Sequence, residues 1–106
     1  MYDENIINEM HRYFSKYIKK YTGLYLYGSR VKNTDNSESD YDIVLLLSEI
    51  PDYEEKRIIY GFIGQIEYEK SIFVDIKILT IEQLKLNCYF YNEVVTRGRY
   101  YEREAG

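Results

Sequence analysis

The chain of 106 residues contains one cysteine, one proline, one histidine and no tryptophan. A lone thiol, Cys88, excludes an internal disulfide and fits a reducing compartment. With so few Cys and His, no ligand set for zinc is present. The longest apolar run, Ile43 to Leu47, is far too short to span a bilayer. Met1 to Asn5 is acidic and polar and lacks the apolar segment of a signal peptide. No membrane role is expected, and the cytoplasm is the expected location. Nor is there a basic excess: 14 Lys+Arg stand against 18 Asp+Glu, a formal charge of -4. Bulk charge therefore does not favour a phosphate backbone, and no direct nucleic-acid partner is expected. Repeats, low-complexity tracts and linkers are also missing. The length supports one modest core, read as a single domain over residues 1–106.

What the chain does have is tyrosine, at 14 residues. Amphipathic rings suit the half-buried margins of a thin core, with a minority left to stack on a base or meet a partner.

From Asn5 to Tyr21, the residues Ile6, Ile7, Met10, Tyr13, Phe14, Tyr17, Ile18 and Tyr21 follow a helical period. Acids precede this helix and lysines fall in its last turns, as the helix dipole favours. Thr22-Gly23 is expected to end it. Leu24 to Tyr27 reads as a short strand and Asp40 to Leu47 as a second. Asp52, with Glu55 three residues on, is a capping box that opens a helix bearing Ile58, Ile59, Phe62, Ile63 and Ile66 on one side. Gly61 and Gly64 within it are expected where helix and sheet pack closely. Ile72 to Leu79 alternates as a third strand, with Asp75 and Lys77 on the face opposite Val74 and Ile76. Thr80 to Gln83 is a second capping box. It opens a last helix that buries Ile81, Leu84, Cys88, Tyr91 and Val95 and stops at Gly98. The fold expected is α/β, a small mixed sheet of about three strands with flanking helices.

The chemistry concentrates in two places. Leu24 to Tyr27 runs into Gly28-Ser29-Arg30; after ten intervening residues from Ser29, Asp40-Tyr41-Asp42 opens an aliphatic strand. Asp40 and Asp42 share a strand face about 7 Å apart, so their carboxylates can converge on metal ions. Asp75 can join them if the strands are neighbours. Three crowded carboxylates repel unless cations intervene, and hard oxygen ligands suit magnesium. An acid amid Phe73, Val74 and Ile76 is unusual, and Lys77 cannot neutralise it unless both side chains point to solvent. Gly28 lets a backbone approach phosphate, and successive N–H groups with the Ser29 hydroxyl can form an anion nest. Arg30 either adds a charge-assisted phosphate contact or is a solvated turn residue. Lys32 reads as surface, His11 as structural and Cys88 as core.

Gly28-Ser29, the ten-residue spacing, Asp40-Tyr41-Asp42 and the later Val74-Asp75-Ile76 together resemble the DNA polymerase β-like nucleotidyltransferases, above all their smallest, MNT-type members. The resemblance covers nearly the whole chain, including Tyr91 to Gly98 as the terminal helix and glycine. One departure is Asn33, where the family loop often carries a second glycine; asparagine tolerates the left-handed conformation such a turn needs.

The resemblance implies transfer of AMP from ATP to a hydroxyl, with release of pyrophosphate. Asp40 and Asp42 would ligate two Mg2+ ions; Asp75 would ligate one and help deprotonate the acceptor. Gly28 and Ser29 would hold the β- and γ-phosphates. It further implies an antitoxin whose partner, and possible hetero-oligomer, is a HEPN-domain ribonuclease toxin modified on tyrosine. Neutralisation by binding alone, or transfer to a small-molecule or RNA hydroxyl, are the competing outcomes.

Overall fold

Apolar residues fill both faces of the segment from Tyr41 to Leu47, which marks it as a central strand covered on two sides. The computed structural model describes residues 4–27 and 41–104. Helix α1 (Glu4–Tyr17) leads into β1 (Tyr21–Tyr27); β2 (Tyr41–Leu47), α2 (Tyr53–Lys70) and β3 (Val74–Thr80) follow. The short helices α3 (Ile81–Leu86) and α4 (Cys88–Arg97) come next, and then β4 (Arg99–Glu102). The sheet order is β3-β2-β1-β4. β1 pairs antiparallel with β2 and β4, while β2 pairs parallel with β3 across the α2 crossover. The expected mixed α/β sheet is present, with one strand more than the sequence suggests.

On one face, Ile7, Met10 and Phe14 of α1 and Ile59, Ile63 and Ile66 of α2 pack on Leu24, Leu26, Ile43 and Leu45. On the other, Leu84 of α3 and Val94 of α4 cover Tyr27, Val44 and Leu46. Each fully buried aliphatic or aromatic side chain contributes about 1.5–3 kcal/mol.

The α2 capping box is present: Asp52 accepts the Glu55 N–H and Glu55 accepts the Asp52 N–H, both at 2.8 Å. Glu55 also receives the Lys20 ammonium at 2.8 Å, which ties the start of β1 to α2. Thr80 and Gln83 form the second box.

Three boundaries differ from expectation. α1 ends at Tyr17, four residues early, because Tyr21 and Thr22 are recruited into β1. The Arg103 guanidinium holds that turn by donating to the carbonyls of Ser15, Lys19 and Tyr21. The last helix is broken at Asn87, whose extended backbone and side chain cap α4 through the Phe90 N–H at 3.0 Å. The break resets the helical phase, so Val94 is buried while Val95 and Cys88 are exposed. Cys88 is therefore not a core residue. The third difference is β4 itself, which follows Gly98 and pairs with β1.

The glycines also part from expectation. A Cβ on Gly61 or Gly64 would meet nothing within 4 Å, so close packing is not their reason. Gly98 is the opposite case: its φ is ordinary, but a Cβ there would strike the Val94 carbonyl and sit 3.1 Å from that of Leu26.

His11 is structural, as read. It is buried, with Nδ1 2.6 Å from the buried Tyr21 hydroxyl and its ring beside Tyr101. Burial lowers its pKa below 6.5; Glu104 and a bond to the Glu102 backbone oppose the shift without cancelling it, and Arg12 adds to it.

Two outcomes follow. Gly61→Ala and Gly64→Ala should each stabilise by about 0.5–1 kcal/mol in chemical denaturation, whereas Gly98→Ala should cost about 1–3 kcal/mol. For His11 the unfolded chain binds the proton first as pH falls, since its pKa is the higher. Stability should be full above the ordinary imidazole value of 6.5 and fall below it. Melting curves across that range should show the loss, and His11→Gln should flatten it.

Candidate functional site

The strand registers decide which polar groups meet. Tyr27 of β1 lies opposite Asp42 of β2, and Asp42 lies opposite Asp75 of β3. The three residues form one row across the sheet, at the end of β1 and the starts of β2 and β3. Strand alternation puts all three on the face that carries Val44, Leu46, α3 and α4. Neighbouring strands are about 4.8 Å apart, so the two carboxylates stand side by side. The strands carrying Asp42 and Asp75 are thus neighbours, the condition under which the acids can converge.

Asp75 is not enclosed. β3 is an edge strand, and the Asp75 side chain is 51% exposed. Its neighbour Phe73 also faces outward, so the apolar surroundings suggested by the sequence belong to the strand's other face. Lys77, one step further along β3 on the same face, brings Nζ to 3.5 Å from Asp75 Oδ2. Its side chain is 43% exposed, so both groups do point to solvent.

Tyr27 completes the cluster from beneath. Its ring is buried edge-on against Phe90 of α4, and its hydroxyl lies near the Lys77 ammonium. The same ammonium lies 5.8 Å from the centre of the Phe90 ring. Burial raises the Tyr27 pKa, Lys77 pulls it down, and Asp42 and Asp75 push it up again, so the phenol stays protonated. For Lys77, burial works against the charge but Tyr27 and Asp75 outweigh it, and its pKa is raised.

Gly28, Ser29, Arg30 and Asp40 lie outside the described residues, as do Lys32 and Asn33. Among the described residues no group of three or more acids, His or Cys is assembled for a metal. A surface hollow of about 300 Å³ on α4, lined by Tyr89, Asn92, Glu93, Thr96 and Arg97, contains none of the acids of the row.

A family profile described as "Polymerase beta, Nucleotidyltransferase" matches residues 8–100. The chain belongs to this nucleotidyltransferase family. No protein of curated function matches it. Among solved structures, a point mutant of the toxin–antitoxin MntA–HpeT complex is similar at 23% identity and a TM-score of 0.66, covering 98% of this chain and 75% of the other. A toxin–antitoxin structure with AMP-PNP is similar at 24% identity and 0.65, covering 93% and 72%. A tri-AMPylated Shewanella oneidensis HEPN toxin in complex with MNT antitoxin is similar at 23% and 0.56, covering 92% and 66%. At these identities the likeness establishes the fold.

In this nucleotidyltransferase the residues that sequence reasoning missed are Tyr27 and Lys77. Tyr27 reads only as the last residue of a strand, and its hydroxyl is without meaning until β1 is laid beside β2. Lys77 carries a usable signal, because period-two alternation already places it on the face of Asp75. His11 and Cys88 take no part in the row: His11 packs in the α1 layer, and Cys88 is exposed.

Ring and hydroxyl of Tyr27 separate by substitution. Tyr27→Ala should cost about 3–5 kcal/mol in urea denaturation, since it empties the contact with Phe90. Tyr27→Phe keeps that contact and removes only the hydroxyl, so it should cost about 1 kcal/mol or less.

Proposed function

We propose that this nucleotidyltransferase moves AMP from ATP to a tyrosine hydroxyl of a partner HEPN-domain ribonuclease toxin, in the cytoplasm, and thereby acts as its antitoxin. The observation that carries the reading is the register pairing of Asp42 with Asp75 at the mouth of the sheet, in a chain of the polymerase β nucleotidyltransferase family. The partner is supported by the similar structures, which hold toxin–antitoxin pairs, one with AMP-PNP and one with an AMPylated HEPN toxin.

The donors in the row suit Mg2+: two carboxylates side by side, with neither sulfur nor imidazole among them. Asp42 and Asp75, with Asp40, would hold the metal, which when bound neutralises triphosphate charge and makes the acceptor hydroxyl easier to deprotonate. Asp75, half-exposed at the sheet edge, is proposed to take the tyrosine proton. The acceptor oxygen attacks the α-phosphorus, the bond to the β-phosphate oxygen breaks, and pyrophosphate leaves. Gly28, Ser29 and Arg30 are proposed to hold the β- and γ-phosphates and so orient that leaving group. The whole domain, residues 1–106, is proposed as the transferase unit, with the acceptor surface supplied by the partner.

The test is incubation with labelled ATP, Mg2+ and the HEPN toxin. Label should appear on toxin tyrosine, vanish with EDTA, and fall on the order of a thousandfold or more with Asp42→Asn. Absence of label with the folded wild-type protein would overturn the transferase reading. Full neutralisation of the toxin by Asp42→Asn would assign the antitoxin effect to binding instead.

A further inference from the structure

Lys77 sets a positive charge beside Asp75, the acid at the exposed edge of the row. Its ammonium lies 3.5 Å from Asp75 Oδ2 on its own strand and 5.8 Å from the centre of the Phe90 ring of α4, with the Tyr27 hydroxyl of β1 nearby. The three contacts differ in quality. The Asp75 contact, at 3.5 Å, is long against the roughly 2.7–2.9 Å of a good charge-assisted bond. The contacts on the other side are made with groups that cannot retreat, because Tyr27 is buried and braced edge-on against Phe90. The cation thus stands between the acid in front and the Tyr27–Phe90 pair behind.

We propose that Lys77 is a placeholder cation of the acid row: it compensates Asp75 while no metal is bound and falls back on Tyr27 and Phe90 when a divalent ion takes that carboxylate. The inference rests on the reading of Asp42 and Asp75 as metal ligands and adds a control that reading lacks. A monovalent charge beside a ligand carboxylate repels an incoming divalent ion, so the bare site binds metal more weakly than its acids alone would. Triphosphate oxygens bring their own negative charge and additional ligands, which offset that repulsion. Metal uptake is thereby coupled to nucleotide uptake, and the bare site takes up free metal only weakly. Tyr27 sets the balance: with its hydroxyl present, the ammonium has somewhere to go.

The full-length protein and three variants are titrated with Mn2+ alone, with free Mn2+ followed by electron paramagnetic resonance, and again with AMP-PNP present. Lys77→Met keeps the aliphatic stem over Phe90 and removes the charge; it should bind Mn2+ alone about five- to tenfold more tightly. That gain should shrink when AMP-PNP is present. Lys77→Arg restores a cation and should return the affinity toward wild type. Tyr27→Phe should act in the opposite direction, weakening Mn2+ binding, because the unanchored ammonium then settles on Asp75. Wild-type Mn2+ affinity in Lys77→Met, or tighter binding in Tyr27→Phe, overturns the placeholder role even if AMP transfer by the wild type is intact. A wild-type protein that neither takes up Mn2+ nor transfers AMP removes the reading of the site, and the placeholder role with it.

Discussion

The parallel pairing of β2 with β3 is the constraint on which the site depends. Asp42 and Asp75 come from segments separated by the whole of α2, and only the in-register ladder brings them side by side. A slip of one residue would turn Asp75 into the α1–α2 core and bring Ile76 out in its place. Several features hold the register. Val74, Ile76 and Ile78 pack against the core on the α1–α2 side, so the opposite phase would expose them. At the entry to β3 the Glu67 carboxylate of α2 accepts the Val74 N–H at 2.9 Å, and the Tyr41 N–H meets the Phe73 carbonyl at 2.8 Å. The crossover helix thus connects the two acid-bearing strands and also sets their alignment.

The same ladder explains the unequal setting of the two acids. β2 lies inside the sheet, and everything on it after Asp42 is buried; β3 is at the edge, with one side open. An acid on an edge strand keeps its hydration and avoids the desolvation cost that an interior carboxylate would meet. Charge at an edge also discourages pairing with a stray strand, which an unprotected β3 would invite. Asp75 and Lys77 therefore also protect the edge of the sheet.

Much of this was legible in the sequence where local rules govern. Asp52-x-x-Glu55 and Thr80-x-x-Gln83 state their helix starts through backbone hydrogen bonds three residues long, and both appear as read. The alternation along β3 and the aliphatic run of β2 gave the correct faces. Reading failed where a distant partner decides. Tyr21 continues the helical period, yet its buried ring and its hydroxyl at His11 put it in β1. Asn87 lies in the middle of an apolar helical pattern, and its capping bond to the Phe90 N–H outweighs that pattern. The residues of β4, two adjacent tyrosines between Arg99 and Glu102, lack strand alternation and become a strand because β1 offers an open edge. For the candidate site, the acids announce themselves by spacing, whereas Tyr27 and Lys77 matter through where two other strands place them.

Arg103 has a meaning beyond the turn it caps. Its bonds reach Ser15, Lys19 and Tyr21, residues 88, 84 and 82 positions earlier in the chain. Beside it, β4 covers the outer edge of β1, and the Tyr100 ring closes over Gly23. α1 and β1 are thus completed by β4 and Arg103. Contacts so far apart in sequence form late and raise the contact order, which slows folding and makes it concerted. A ribosome extending this chain would carry α1 and β1 without their outer support until β4 and Arg103 had emerged.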